Sequence, residues 1–581
     1  MHPKKYPGIL LILVTCILVL NACKQAENKN QSLTNSPSAG HEWWKEAIVY
    51  QIYPRSFKDS NGDGVGDLNG ITSKLDYIKS LGINTVWLNP VYSSPNTDNG
   101  YDVSDYRNIM KEFGTMSDFN QMLKGMHQRK IKLVMDLVVN HSSNQHEWFK
   151  QSRSSRTNPY RNYYHWWNAE RGKPPVRYSL FDVNHDAWKY DSLTNAYYLH
   201  YFSIQQPDLN WENPKVRQEV YNVMKFWADK GIDGFRMDAF QFAAKDTTFP
   251  KFPVNGQNFM KYYAIGPHLH DYLQEMNREV YSKYNLMSVA EGAGNSLQDA
   301  HDMVDADRHE LNMAYAFDGV GIAKPNGYSV LEFKNVFTKW DSAFAKKGWL
   351  SIFLSNHDQA RLVSRFGNDS PPFRAVSSKM INTFLLTMRG TPYVYNGDEL
   401  GMTNAGFTKI TDYNDVALLN EYQHVKETNG DLNKFLLLAA KENRDNGRTP
   451  FPWNNTNNAG FTSGTPWIKI NPNYKTINAA EEEKDPGSVL NYFKKAVQLR
   501  KENAVLVYGK YTLLDKNNPD VYAYTRELDG KKMLILLNFR SKTASANTGI
   551  NLSKAKVLLC NYATPAADGK LRPYEAVIYQ M

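Results

Sequence analysis

The chain has 581 residues, of which 42% are hydrophobic and 22% charged. At about 100–200 residues per domain this length predicts several domains or one large barrel with attached parts, and the composition argues against wholesale disorder, a collagen-like repeat or a polytopic membrane protein. The net charge of +9 includes no basic block, so nucleic-acid binding is not indicated. The three cysteines, Cys16, Cys23 and Cys560, are too few for a disulfide framework or a cysteine-based zinc site.

The N-terminus has the pattern of an export signal. An apolar run from Ile9 to Leu20 follows Lys4 and Lys5, and it is too short for a convincing membrane span. The sequence Leu20-Asn21-Ala22-Cys23 then resembles a bacterial lipoprotein cleavage box. We therefore expect residues 1–22 to be a signal peptide. The alternatives are an ordinary secretory signal and an uncleaved anchor.

The lipoprotein interpretation makes Cys23 the lipidated first residue of the mature protein. Two or more acyl chains on it suffice for stable membrane anchoring. Residues 23–40 are polar and rich in Asn, Ser and Gln, which predicts a flexible tether. We expect an exported protein anchored to a bacterial membrane, on the periplasmic side or at the cell surface.

Short apolar runs recur at regular intervals after this tether. They predict eight strands: Ala47–Tyr53, Thr85–Asn89, Lys132–Val139, Gly234–Asp238, Leu286–Glu291, Leu311–Phe317, Ser351–Ser355 and Pro392–Tyr395.

Segments with helical periodicity lie between and after these strands: Ile71–Leu81, Asp118–Gln128, Val216–Lys230, His268–Tyr284, Val330–Lys346, Ala375–Met388 and Val489–Lys501. Gly82, Gly231 and Gly390 stand where a helix C-cap glycine is expected. Alternating strands and helices predict an α/β fold, a (β/α)8 TIM barrel over residues 41–141 and 206–504.

Two regions depart from this alternation. Residues 142–205 are rich in Trp, Tyr, Asn and Arg and have no clear helix, which predicts a small inserted domain after the third strand. Residues 505–581 alternate in hydrophobicity and predict a C-terminal antiparallel β-sandwich domain, with strands at Val521–Arg526, Lys532–Asn538, Ala555–Leu559 and Ala576–Tyr579.

Four of the predicted barrel strands end in ionisable residues. The third ends in Asp136-Leu-Val-Val-Asn140-His141, the fourth in Arg236-Met-Asp238, the fifth in Glu291, and the seventh in Asn356-His357-Asp358. Catalytic residues of such barrels lie at the C-terminal ends of strands, and strand alternation places Arg236 and Asp238 on one face. One acidic residue after a strand is more often a helix N-cap. The four endings together indicate an active site.

With these motifs the sequence resembles glycoside hydrolase family 13, the α-amylase family, and within it the oligo-1,6-glucosidases and α-glucosidases. The segments Gln206–Asn210, Gly266–Arg278 and Arg444–Pro450 carry the same resemblance, which extends from about Trp43 to the C-terminus. It implies a retaining enzyme that acts on α-linked gluco-oligosaccharides without an organic cofactor.

The resemblance assigns roles to the polar strand ends. Asp238 is the nucleophile, Glu291 the proton donor and then the base, and Asp358 the third carboxylate, which stabilises the transition state. We expect Arg236 to keep Asp238 ionised, and burial with nearby carboxylates to raise the pKa of Glu291.

Other residues would bind the sugar by the same resemblance. His141 and His357 donate hydrogen bonds to hydroxyls, although buried structural histidines are the alternative, and Tyr101 stacks on the sugar. In exo-acting members an Asp at the position of Asp98 pairs with an arginine and closes the pocket behind the non-reducing end. Arg448 is our candidate and Arg444 the alternative. A surface ion pair is the competing interpretation.

The segment from Asp59 to Asp67 resembles a calcium loop. Oxygen ligands at alternate positions, with glycines between them, suit a hard cation, although Gly70 stands where an EF-hand has its closing Glu. The family has a divalent-cation site here, usually for Ca²⁺, with a structural role. The expected ligands are the side chains of Asp59, Asn61, Asp63 and Asp67 and the carbonyl oxygen of Val65. The alternative is a metal-free loop of Asx turns.

The sequence departs from the family at Ala239, Ala290 and the run from Asn396 to Glu399. Members that favour α-1,6 bonds commonly have Val after the nucleophile, and several α-1,4-specific members have Thr. Because Ala239 matches neither, the linkage preference stays open.

Three functions remain open. The first is an exo-acting α-glucosidase that cleaves α-1,6 or α-1,4 bonds of short oligosaccharides. The second is a transglycosidase, trehalose-forming enzyme or endo-amylase on the same scaffold. The third is a non-catalytic glycan-binding lipoprotein, against which the presence of Asp238, Glu291 and Asp358 argues. Sequence does not determine the oligomeric state.

Overall fold

The computed structural model describes residues 42–182, 186–252, 259–324, 327–566 and 570–581. The predicted signal peptide of residues 1–22, Cys23 and the predicted tether of residues 23–40 lie outside these ranges. Within them, every helix is too short or too polar to cross a membrane.

Eight parallel strands form the centre of the molecule, as the sequence predicted. They are β1 (Val49–Ile52), β2 (Thr85–Leu88), β3 (Lys132–Val138), β4 (Gly234–Asp238), β5 (Met287–Ala290), β6 (Met313–Ala314), β7 (Ser351–Ile352) and β8 (Thr391–Tyr395).

The strand order shows that this sheet is a barrel. Neighbouring strands follow the order β6-β5-β4-β3-β2-β1-β8-β7. A parallel bridge between Ala314 and Leu350 joins its two edges and closes it. The predicted (β/α)8 barrel is therefore confirmed. Strands β6 and β7 have only two residues each. They are shorter than predicted because the chain that follows each of them is irregular.

Helices separate the strands. Those around the barrel are Leu68–Ser73, Leu75–Ser80, Met116–Gln128, Pro214–Asp229, Leu269–Met276, Leu297–Val304, Val330–Ala343, Arg374–Thr387 and Val489–Glu502. Gly82, Gly231 and Gly390 all have positive φ, at 83°, 97° and 117°, as expected for C-cap glycines.

Two predicted helices differ in detail. The first breaks at Lys74, whose backbone is non-helical and caps both halves. The predicted helix His268–Tyr284 begins at Leu269, and its second half, Asn277–Tyr281, is a π-helix. Apolar periodicity does not reveal a helix break or a π-helix, because either one changes the backbone hydrogen bonds of a few residues while the same face of the helix stays buried.

The insertion after β3 has a three-stranded antiparallel sheet, in which Ala196–Leu199 pairs with both Trp166–Asn168 and Trp188–Asp191. The expectation that residues 142–205 contain no helix was wrong, since Glu147–Ser154 is helical. This helix has only two turns, its N-cap is His146, and only Phe149 and Ser152 are buried. Its periodic signal is too short to recognise.

The C-terminal region is an antiparallel sheet that packs on the barrel. Its five strands, in sheet order, are Lys510–Leu514, Val521–Leu528, Lys531–Asn538, Ala576–Gln580 and Lys556–Cys560. One face contributes Tyr522 and Ile535 to the cluster of buried residues that also contains Phe333 and Phe384 of the barrel helices. The opposite layer is a two-stranded sheet, Ala544–Ser545 with Lys570–Leu571.

Candidate active site

A buried arginine joins the ends of three adjacent barrel strands. The parallel register places Asp136 of β3 beside Arg236 of β4. Arg236 is fully buried, and its Nη1 donates to Asp136 Oδ1 at 2.7 Å and to Asp238 Oδ1 at 2.6 Å. Its Nη2 lies 2.5 Å from Glu291 Oε1. The structure therefore brings the predicted nucleophile and proton donor to one guanidinium group.

The charges of this Arg236 cluster (Asp136, Arg236, Asp238 and Glu291) do not balance, because three carboxyl groups face one cation. Burial, opposed by Arg236 but reinforced by Asp238 and Asp358, raises the pKa of Glu291 to about 7. Burial also raises the pKa of Asp238, although Arg236 lowers it. The expected raised pKa of Glu291 is thus present, whereas Arg236 alone does not keep Asp238 fully ionised.

The Glu291 carboxylate is held by the chain that follows the nucleophile. Glu291 Oε2 accepts a hydrogen bond from the Ala239 N–H at 2.8 Å. Ala239 has a left-handed backbone with φ of 44°, which a β-branched residue adopts only with strain. The side chains of Asp238 and Glu291 remain 10% and 16% exposed, so both reach the open mouth of the barrel.

Asp358 has a different environment on the opposite side of the barrel mouth. Its Oδ1 accepts from Arg444 Nη1 at 2.9 Å and from Arg448 Nη2 at 3.0 Å, and its Oδ2 lies 3.2 Å from His357 Nε2. Burial opposes ionisation, but His357, Arg444 and Arg448 hold the pKa of Asp358 far below its usual value. Because burial lowers the pKa of His357 to about 3, the two arginines carry this effect at neutral pH.

The partner of Asp98 is Arg444, so the prediction of Arg448 was wrong. Arg444 Nη2 lies 3.2 Å from Asp98 Oδ1 and 2.8 Å from Asp415 Oδ1. Arg448 instead donates through Nε to the His357 carbonyl. Arg444 begins a 3₁₀ turn that directs its side chain toward Asp98. Spacing alone could not choose between two arginines on one short segment.

The predicted aromatic residue and the second histidine form a stacked pair. The rings of Tyr101 and His357 are nearly parallel, at 7°, with centroids 5.2 Å apart. The Tyr101 hydroxyl donates to Asp136 Oδ2 at 3.0 Å and accepts from Asn89 Nδ2 at 2.7 Å. Tyr101 is therefore anchored to the Arg236 cluster through Asp136.

His141 lies beneath this pair and is 1% exposed. Its Nε2 is 3.0 Å from the Tyr101 carbonyl oxygen, and its Nδ1 is 3.1 Å from Asn140 Nδ2. Both predicted histidines thus contact Tyr101, His357 through the ring and His141 through the backbone carbonyl.

Several residues of the site were not assigned from the sequence: Asp136, Gln206, Asp415 and, except as an alternative, Arg444. Gln206 donates to Asp98 Oδ2 at 3.1 Å. It begins the Gln206–Asn210 segment used for the family resemblance, and Asp136 begins the polar end of β3, so both carried a signal. Asp415 had no sequence feature that marked it as a site residue, since it looks like any N-cap before the helix Val416–Glu427.

Residues 51–509 match the family described as the alpha-amylase catalytic domain. The chain belongs to the alpha-amylase family. This confirms the resemblance found in the sequence and makes the protein a glycoside hydrolase.

Curated relatives of this alpha-amylase family member include oligo-1,6-glucosidases. The enzyme of Parageobacillus thermoglucosidasius is 49% identical, and the alignment covers 93% of this chain and 99% of the relative. That of Bacillus cereus is 47% identical over the same shares.

Solved relatives have the same fold. The isomaltulose synthase of Klebsiella sp. LX3 superposes with a TM-score of 0.89 at 45% identity, covering 93% of this chain and all of that one. A trehalulose synthase mutant gives a TM-score of 0.89 at 44% identity, with 93% and 100% covered.

The predicted cation loop contacts the segment from Phe461 to Trp467. Asp59 Oδ1 accepts from the N–H groups of Asn61 and Gly62 at 2.9 and 2.7 Å, and Oδ2 accepts from that of Gly64 at 2.9 Å. Asn61 and Asp63 accept from the N–H groups two residues later at 2.9 Å, and Gly62 and Gly64 have φ of 86° and 94°.

The donor chemistry of this loop fits a hard cation, because its polar side chains offer only oxygen ligands. Burial opposes a low pKa for Asp59, but hydrogen bonds from Thr462 and the loop N–H groups outweigh it and lower that pKa. In the described ranges, no three His, Cys, Asp or Glu residues form a metal-binding group by themselves. A site here depends on the Asn61 amide and the Val65 carbonyl as well.

Proposed function

We propose that this glycoside hydrolase is an exo-acting, retaining α-glucosidase that cleaves terminal α-glucosidic bonds of short oligosaccharides by double displacement. The observation that carries the proposal is the pairing of Asp238 and Glu291 on one guanidinium. Retaining enzymes hold two carboxyl groups roughly 5–5.5 Å apart, and a shared guanidinium suits a spacing of that order.

In the first step Asp238 attacks the anomeric carbon, and the bond to the leaving oxygen breaks. Glu291 gives its proton to that oxygen, so the released sugar leaves as an alcohol and the glucosyl group is esterified to Asp238. In the second step Glu291 takes a proton from water, the resulting hydroxide attacks the anomeric carbon, and Asp238 is released as a carboxylate. Glu291 ends the cycle protonated, as it began.

The pKa values alone do not divide the two roles, because burial raises those of Asp238 and Glu291 alike, to about 7. A pKa of about 7 lets Glu291 hold a proton near neutral pH and return it easily. Arg236 contacts both carboxyl groups, with Nη1 2.6 Å from Asp238 Oδ1 and Nη2 2.5 Å from Glu291 Oε1, so the assignment of the proton to Glu291 rests on the family resemblance. Asp358 stays ionised and stabilises the positive charge that develops on the sugar ring.

The exo mode follows from the ion pair between Asp98 and Arg444. A buried pair offers both donors and acceptors to the hydroxyls of a terminal sugar, and it blocks extension of the glucan beyond that residue. Tyr101 provides the aromatic face, and His141 and His357 donate to hydroxyls. The names of the curated relatives support α-1,6 bonds as one class of substrate.

Glucose release from isomaltose, maltose, trehalose and soluble starch tests the proposal. We expect release from isomaltose, maltose or both, and little from starch. Formation of maltodextrins from starch without early glucose would contradict the closed pocket. The stereochemistry of the first-released glucose, followed by NMR, must be α.

A transglycosidase is the second candidate, because several solved relatives are isomaltulose or trehalulose synthases. Incubation with sucrose separates the two functions. A hydrolase yields glucose and fructose, whereas an isomerising enzyme yields a new disaccharide.

We also propose that the loop from Asp59 to Asp67 binds Ca²⁺ in a structural role. The support is its all-oxygen donor set and its two left-handed glycines. Chelation should lower the melting temperature by several degrees, and added Ca²⁺ should restore it. The Asp63→Ala variant should melt at the same temperature with and without chelator. An unchanged melting temperature of the parent protein would contradict the site.

Finally, we propose that residues 1–22 are a lipoprotein signal peptide and that Cys23 is acylated. The support is the apolar run followed by Leu20-Asn21-Ala22-Cys23. Metabolic labelling with a radioactive fatty acid should mark the full-length protein and leave Cys23→Ala unlabelled. A protein released unlabelled into the periplasm would indicate an ordinary signal peptide.

A further inference from the structure

A buried lysine lies behind the site and touches none of its carboxylates. Lys245, in the segment after β4, is 4% exposed. Its Nζ donates to Asn140 Oδ1 at 2.7 Å and lies 3.4 Å from Asp208 Oδ2. Asn140 and Asp208 are both fully buried. The ammonium group therefore links the end of β3 to the segment that returns from the insertion.

This contact determines the orientation of the Asn140 amide. An ammonium group has three donors and no acceptor, so only the amide oxygen of Asn140 can face Lys245. Burial lowers the pKa of Lys245, and the Asp208 carboxylate beside it acts against that shift. The Asn140 NH₂ group must then face the other way, toward His141 Nδ1 at 3.1 Å and Asp208 Oδ1 at 3.4 Å.

The amide in turn selects the tautomer of His141. Burial is the main reason that the pKa of His141 falls to about 3, and the charge of Lys245 acts in the same direction. The ring is therefore neutral near pH 7 and carries one hydrogen. Because Asn140 presents a donor to Nδ1, this nitrogen must accept, and the hydrogen must be on Nε2.

The other side of the ring agrees with this assignment. His141 Nε2 faces the Tyr101 carbonyl oxygen at 3.0 Å, which can only accept. The nearby Gln206 amide is oriented independently, since its Oε1 accepts from the Ser203 N–H at 3.1 Å and its Nε2 donates to Asp98. The 3.2 Å approach of Gln206 Nε2 to His141 Nε2 is then a contact between two donors that share the Tyr101 carbonyl.

We propose that Lys245 is a positioning residue that, through Asn140, keeps the hydrogen of His141 on Nε2, the nitrogen that faces Tyr101 and the sugar pocket. The part of this inference that concerns sugar binding rests on the proposed function. The part that concerns the tautomer does not. When a sugar hydroxyl replaces or joins the Tyr101 carbonyl as acceptor, the Nε2–H group of His141 is already in place as donor, and the ring does not need to change its tautomer.

NMR of protein labelled with ¹⁵N-histidine tests the tautomer without any substrate. Comparison with His141→Gln identifies the His141 signals, and the ring nitrogen that bears hydrogen resonates far from the one that does not. We expect Nε2–H in the parent protein. Nδ1–H there would overturn the proposal, whatever the enzyme cleaves.

Two variants test whether Lys245 is the cause. Asn140→Asp removes the donor that faces Nδ1, so the Nδ1–H form of His141 should become detectable beside the Nε2–H form, which the Tyr101 carbonyl still favours. Lys245→Met combined with Asp208→Asn removes the buried charge pair as a whole, avoiding an unpaired carboxylate. It frees the Asn140 amide to turn, and both tautomers should then be present. An unchanged Nε2–H form in both variants would overturn the proposal.

Steady-state kinetics provide the second test. They are measured with isomaltose or maltose, whichever is the better substrate. The Lys245→Met/Asp208→Asn variant should lose about two- to tenfold in kcat/KM, because only the fraction of His141 in the Nε2–H form can donate to the sugar. In a His141→Ala background the same pair of substitutions should cause no further loss. Additive losses would indicate a merely structural role and would overturn the proposal.

Lys334 offers a matched control. It is also fully buried, and its Nζ donates to the carbonyls of Asp515 and Asn518, far along the chain from the site. Lys334→Met should lower the melting temperature but leave kcat/KM and the His141 tautomer unchanged. If it lowers kcat/KM as much as the Lys245 variant, general destabilisation explains both effects and the proposal fails.

Discussion

The Arg236 cluster and the surroundings of Asp358 both combine arginines with buried carboxyl groups, but the carboxyl pKa values of Glu291 and Asp358 shift in opposite directions. In the Arg236 cluster one guanidinium is shared by Asp136, Asp238 and Glu291, and burial raises the pKa values. Around Asp358, each of two arginines donates to one carboxylate, and its pKa falls. The number of arginines that donate to a given carboxylate, rather than burial alone, distinguishes Asp358 from Glu291 and Asp238.

The largest expected effect comes from removing Glu291, the proposed proton donor, from the Arg236 cluster. Glu291→Gln keeps the shape but cannot transfer a proton, so kcat should fall by about 10³-fold with substrate binding retained. Steady-state kinetics and calorimetric titration with substrate measure the two quantities. Activity near that of the parent would mean that another group is the acid.

Glu399→Gln is the control for that experiment. Glu399 is another buried carboxyl whose pKa burial raises to about 7. It accepts from the hydroxyls of Tyr50 and Tyr77, at 2.6 and 2.9 Å, and touches no residue of the site. Its replacement should change kcat by less than about tenfold, since it removes no transferable proton from the site.

The next largest effect should come from Arg444. A lysine in its place is a point charge and cannot contact Asp98, Asp358 and Asp415 together. We expect Arg444→Lys to lower kcat/KM for disaccharides by about 10- to 100-fold, mainly through KM, because it leaves buried carboxylates partly unpaired. A loss in kcat with KM unchanged would show that the arginine serves the chemical step instead.

The pH dependence of kcat/KM tests whether Asp136 and Glu291 are coupled through the Arg236 guanidinium. Glu291 must be protonated to act, so the alkaline limb of the kcat/KM profile should fall as the pH rises through about 7. Asp136→Asn removes one negative charge from the cluster, which lowers the pKa of Glu291 and moves the alkaline limb to lower pH by about half to one unit. A limb that stays in place would show that Asp136 is not coupled to Glu291.

The smallest effect should come from Ala239→Val, which changes the residue that donates to Glu291. A β-branched side chain at φ of 44° should reduce stability by about 1–2 kcal/mol. The family pattern suggests a shift of less than about tenfold in the ratio of kcat/KM values toward isomaltose over maltose. Ala290→Gly, one residue before Glu291 in a regular strand, should leave that ratio unchanged. A shift toward maltose would contradict the role of this position.

The local sequence pattern was sufficient to predict the barrel strands and their polar ends. The eight strands have short, continuous apolar runs, and their polar ends at Asn140, Asp238, Glu291 and Asp358 stand out because charged residues seldom follow such runs without a reason. Periodicity also located the helices around the barrel, except Leu297–Val304. It missed the helix Glu147–Ser154, which buries too little, and the helices Val416–Glu427 and Leu432–Glu442 after β8, which bury only Leu418 and Ala439.

What the amino-acid sequence determined by itself was the barrel and the polar strand ends that carry Asp238, Glu291 and Asp358, because each depends on neighbours within a few residues. The tertiary structure alone decided which arginine meets Asp98, that Asp136 competes for Arg236, and that Asp415 supports Arg444. These contacts join atoms whose residues are 346, 100 and 29 positions apart. Spacing along the chain has no bearing on such distances, since they are set by the closure of the barrel.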